Sequence, residues 1–91
     1  SIIPKPQGQV TRIRRGGYSL IEALGWDETF YKNVQHLIHS LAKIHLDCRY
    51  SYAKQNPERI ESVCNEAVRR MRTRDIYEHN WHVKDFLLVY L

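Results

Sequence analysis

The chain lacks any apolar run long enough to cross a bilayer. Its longest, Phe86 to Leu91, falls far short of the about 20 residues a spanning helix needs. The front has no charged start followed by an apolar stretch and a small-residue cleavage site, so no secretory signal is read there. Cysteine is scarce: Cys48 and Cys64 are the two present, fewer than a small secreted domain stapled by disulfides normally carries. Both fall on expected apolar helix faces and are read as buried thiols in a reducing compartment, with one disulfide between facing helices as the alternative. No internal repeat or low-complexity tract is found. The chain opens on Ser1 and stops within an apolar run, which suggests a piece of a longer protein. These absences give an intracellular setting, the nucleus included, and no membrane as the expectation.

Catalytic signatures are missing too. No serine sits in a glycine elbow, and Gly16-Gly17 lacks the further glycines and lysine of a phosphate-cradling loop. Glu58, Glu61 and Glu66 are spread as ordinary helix-surface charges, with no pairing that suits acid–base work. The domain is expected to be no enzyme and to use no cofactor. "HLIHSLAKIHLDC" superficially offers four zinc ligands, His36, His39, His45 and Cys48. On one continuous helix, however, the first pair lies about 240° and 180° from Phe30 and the second about 60° and 0°. The pairs point to opposite sides, so no metal is expected.

Acid is also lacking where base is concentrated. Residues 1–17 hold Lys5, Arg12, Arg14 and Arg15 and no carboxylate, which accounts for the whole net charge of +4. Residues 18–91 contain equal numbers of acids and bases and sum to zero. A cationic arm on a neutral body can meet phosphate or an acidic surface while the body packs. A second concentration, "RRMRTR", places Arg69, Arg70, Arg72 and Arg74 together. Cations near a helix C-terminus interact favourably with its dipole, but four in six positions exceed that need. Lys32, His36, His39 and Lys43 form a third basic stripe at i, i+4, i+7 and i+11, joined by Lys54 if the helix runs on.

The apolar pattern organises the rest. Residues 1–9 carry Pro4 and Pro6 and read as an extended lead-in; Gly16-Gly17 is a break. "YSLIEALG" is a short helix closed by Gly25. Asp27 then caps a long helix whose stripe is Phe30, Val34, Leu37, Ile38, Leu41, Ile44, His45 and Cys48, extending as far as Tyr52. Asn56 and Pro57 start a third helix with Ile60, Val63, Cys64, Ala67, Val68 and Met71 on one face. Its phase is lost after Arg72, which puts a turn near Thr73–Asp75. Residues 82–91 fit a helical face, while "FLLVYL" alone also fits a buried strand.

The expected architecture is a compact all-α domain of three or four helices at 18–91, preceded by a basic flexible arm at 1–17. A winged-helix-like α+β domain is the alternative. The expected function is nucleic-acid binding, with DNA ahead of RNA. Arg12, Arg14, Arg15, Lys32, Lys43, Arg69, Arg70, Arg72 and Arg74 would contact phosphates, while Tyr50 and Tyr77 are candidates for stacking on bases or anchoring a partner. The alternative is a protein-interaction or self-association domain that docks a partner, or a second copy, through its apolar C-terminal segment.

Overall fold

The computed structural model describes residues 2–71 and 76–91. Arg72, Arg74 and the turn expected near 73–75 therefore lie outside the described residues. In chain order the elements are strand β1 (Ile2–Ile3), helices α1 (Leu20–Leu24), α2 (Glu28–His45) and α3 (Pro57–Arg70), strand β2 (Ile76–Tyr77) and helix α4 (Trp81–Tyr90). The fold is mostly α, with one two-stranded parallel sheet pairing Ile2 with Ile76 and Ile3 with Tyr77. Residues 81–90 form a helix, so the strand reading of "FLLVYL", and with it the winged-helix alternative, does not hold.

The capping residues act as their chemistry dictates. Asp27 Oδ1 accepts from the Phe30 amide at 3.0 Å, and Asn56 Oδ1 accepts from the Glu58 amide at 2.8 Å with Pro57 in the first helical position. Each satisfies an amide that the helix itself leaves free. Helix α2 packs against α3 and α4. Ile38, Ala42, Val63, Cys64, Ala67, Val83 and Leu87 are fully buried between them. Burial also pushes the Cys64 thiol up to about 11, which keeps it protonated and unreactive at neutral pH.

Helix α2 ends earlier than its stripe suggests. Its last residue is His45, which leaves Cys48 exposed and Ile44 71% exposed rather than in the core. Two side chains compete for the backbone here. Asp47 Oδ1 accepts from the Arg49 amide at 3.1 Å. The Gln55 carboxamide accepts from the Asp47 amide and donates to the carbonyls of Asp47 and Tyr50, at 3.1, 2.6 and 3.0 Å. These bonds satisfy a loop, not a further helical turn.

The lead-in expected as an arm lies against the helices. Strand β1 pairs with β2, and Trp81 Nε1 donates to the Ile3 carbonyl at 3.0 Å. Val10 is buried in the core. An aromatic cluster seals this end: Trp26 Nε1 donates to the Tyr77 hydroxyl at 3.1 Å, and the Tyr77 ring stacks on His82 with centroids 4.1 Å apart.

His82 is 2% exposed, and its Nδ1 has no hydrogen-bond partner among the described residues. Burial disfavours the imidazolium and lowers its pKa to about 4. A histidine held neutral in the fold contributes stability that is present above its unfolded value of about 6.5. That stability is lost as pH falls toward 4, by at most about 3 kcal/mol. Asp85 works in the opposite sense: burial raises its pKa, so its contribution is lost as pH rises. Comparing variants isolates the histidine. The thermal midpoint of His82→Leu should fall less than that of the native chain between pH 6.5 and 4.5; parallel curves would remove His82 as the source of acid sensitivity.

Candidate nucleic-acid interface

The arginines of the lead-in sit on a closed loop. Residues Ile13–Arg15 form one 3-10 turn, capped by Gly16 at φ 78°. The loop's ends meet through a bridge between Val10 and Tyr18. The Thr11 amide donates to the Tyr18 carbonyl at 2.7 Å, the Tyr18 amide to the Gln9 carbonyl at 3.3 Å, and the Gly17 amide to the Arg12 carbonyl at 2.8 Å. This closure requires glycine. A Cβ on Gly17 would overlap the Gln9 carbonyl oxygen and come within 2.6 Å of that of Arg12, both backbone atoms that cannot swing aside. Thr11 is held at φ 68°, a left-handed conformation that is strained for a β-branched residue.

A polar pair, its carboxyl buried and its tyrosine half-buried, fixes this loop to the body. The Tyr18 hydroxyl donates to Asp85 Oδ2 on α4, and Asp85 is 1% exposed. Burial raises the Asp85 pKa, while the tyrosine bond and the charge of Lys5 oppose that rise. Lys5 Nζ lies 5.1 Å from the Tyr18 ring centroid and donates to the Gly8 carbonyl at 2.8 Å. Lys5 itself stays exposed, held against the loop by these contacts. Arg12, Arg14 and Arg15 are exposed, with no acidic partner among the described residues.

Several of the other expected phosphate contacts are partly quenched. Arg69 and Arg70 both pair with Glu66, at 2.6 and 2.8 Å, and together they hold its carboxyl below the usual range. Lys32 pairs with Glu28 at 2.9 Å. His39, expected in an open basic stripe, instead stacks on Tyr90 of α4 with centroids 4.0 Å apart. Burial first, then the charges of His36 and Lys43, lower its pKa. The stripe from Lys32 to Lys43 is therefore not a continuous cationic face.

Lys43 belongs to a different constellation. It lines an open groove of about 750 Å³ at the α2–α3 turn, together with Arg49, Tyr50, Lys54 and Arg59. Arg49 chelates Asp47 through Nε and Nη2 at 3.0 and 2.8 Å and holds that carboxyl down at about 2. Its guanidinium also lies 5.7 Å from the Tyr50 ring centroid. Arg49 and Arg59 carried no periodic signal; only the early end of α2 brings them beside Lys43. Among the described residues no group of three or more His, Cys, Asp or Glu is placed to hold a metal ion, and no helix is long and apolar enough to cross a membrane.

Comparison of the chain with protein-family models, curated proteins and solved structures gave no match.

The Tyr18–Asp85 bond makes a sharp prediction. Tyr18→Phe leaves a buried carboxylate without its donor, a loss of about 1–3 kcal/mol. For a domain this size each kcal/mol shifts the melting midpoint by about 4–8 °C. Because the folded-state pKa of Asp85 is raised, its charge costs stability at neutral pH and this cost disappears toward the usual carboxylate range. The gap between the two proteins should therefore be widest near pH 7 and narrow toward pH 4. Equal midpoints at pH 7 would mean that the bond does not hold the loop.

Proposed function

We propose that this is a non-enzymatic nucleic-acid-binding domain, with duplex DNA its preferred partner, and that the Arg12–Arg15 loop is its gripping element. The observation that carries this reading is the presence of three exposed arginines, without acidic partners among the described residues, on a loop closed by backbone hydrogen bonds. A preorganised loop loses less conformational entropy on binding than a leash does. Arginine in a narrow projection suits insertion into a minor groove or contact along the backbone. A-form RNA suits such a projection less, because its minor groove is wide and shallow. Arg69 and Arg70 take a secondary part, since they share one carboxylate. On this reading the domain works where nucleic acid is found in the cell, the nucleus included.

The competing reading, docking of a partner through 86–91, draws less support. Phe86 and Leu87 are buried in the domain's own core, leaving Leu88 and Val89 as the large exposed apolar side chains of that segment. Two such residues are ordinary for a protein surface.

Binding to a random duplex oligonucleotide should weaken steeply as salt rises, because each neutralised phosphate releases counterions. Replacing Arg14 and Arg15 together by alanine should lower the slope of log affinity against log salt by about 2. Both side chains are exposed, so the melting midpoint serves as a control for folding. No binding at low salt, or an unchanged slope in the double variant, contradicts the proposal.

A further inference from the structure

The geometry points to a second nucleic-acid site, for an extended single strand, in the groove at the α2–α3 turn. It uses no residue of the Arg12–Arg15 loop, so it stands or falls independently of the reading above. Lys43 comes from the last turn of α2, Lys54 from the connecting segment and Arg59 from the first turn of α3. All three are exposed and free of ion pairs among the described residues. Among the described residues the one carboxylate lining the groove is Asp47, which is occupied by Arg49. The C-terminal end of α2 and the N-terminal end of α3 carry opposite partial charges that offset one another. The side-chain cations therefore set the local potential, and it is positive.

The groove combines that potential with apolar surface. Tyr50 is about half exposed and Ile44 is 71% exposed. Both line the groove beside the cations. A cationic track beside an exposed aromatic ring is the combination by which proteins hold unpaired strands: phosphates follow the cations while a base stacks on the ring. The groove's volume of about 750 Å³ lies within the range of sites that enclose small ligands, about 300–1,000 Å³. A nucleotide or two enters such a concavity; a duplex, with its bases turned inward, offers no face to Tyr50. An acidic polypeptide would meet the cations but has no repeating ring to stack.

The test is fluorescence anisotropy of a short labelled oligothymidylate with the full chain, in the native form and in the Arg14→Ala/Arg15→Ala background. Tyr50→Ala should weaken binding about 5- to 150-fold, the effect of losing one base–aromatic stack, in both backgrounds. Tyr50→Phe should retain it. Lys43→Ala/Lys54→Ala should reduce the salt slope by about 1.4, the single-strand value for two phosphates. Matching melting midpoints establish that the variants fold. Oligothymidylate affinity unchanged by Tyr50→Ala would overturn the inference. So would displacement of the oligonucleotide by polyglutamate at equal charge concentration, because it would mark an acidic polypeptide as the occupant.

Discussion

The hydrogen bond from Tyr18 to Asp85 is the constraint on which the N-terminal third of this protein depends. It joins residues 67 apart in sequence, across what would otherwise be an apolar contact between the start of α1 and the middle of α4. A carboxylate this deeply buried is costly unless it is hydrogen-bonded, and the hydroxyl that satisfies it belongs to the residue that closes the arginine loop. Loop closure and carboxylate satisfaction are thus one event. At the other end of the segment, Trp81 holds the Ile3 carbonyl and β1 pairs with β2. With both ends secured, the segment between them has few ways to lie. Its arginines project from a turn of defined shape.

The same structure redistributes the charge that composition places on the chain. A body with equal numbers of acids and bases still has local imbalances, set by which side chains meet. Glu66 takes up Arg69 and Arg70, Glu28 takes up Lys32, and Asp47 takes up Arg49. Exposed pairs of this kind add little stability. They do, however, cancel the field that a phosphate would feel. Among the described residues, the Arg12–Arg15 loop and the groove lined by Lys43, Lys54 and Arg59 remain unquenched. The first was visible as a run in the sequence; the second exists only because α2 stops where it does.

Legibility in the sequence follows this division. Helix α3 was readable because its signals are local: a cap, a proline and apolar residues at helical spacing all lie within one stretch. Helix α4 was recognisable as an apolar segment, and the buried His82 and Asp85 within it settle on the helix's packed side with the hydrophobic residues. The early end of α2 was hidden, because the apolar period continues through Cys48. What holds the loop in place of a further turn is Asp47 together with Gln55, eight residues beyond it and chemically unremarkable until its carboxamide is seen bridging the loop. The docking of residues 2–17 was hidden for a stronger reason. Prolines, glycines and arginines read as an arm, and nothing nearby in sequence announces that Tyr18 will find Asp85. The candidate site shared this fate: its arginines were legible as charge, but neither their rigid presentation nor the groove at the α2–α3 turn was.

Native-state hydrogen exchange at the Thr11 and Tyr18 amides tests the central claim most directly. Both donate within the loop closure, to Tyr18 and Gln9 carbonyls at 2.7 and 3.3 Å. If the segment is an integral part of the fold that presents its arginines from a fixed turn, these two amides exchange far more slowly than in an unstructured peptide of the same sequence, and Tyr18→Phe accelerates both. Exchange of both amides at the unstructured rate in the native chain would show a free arm, and would contradict the account.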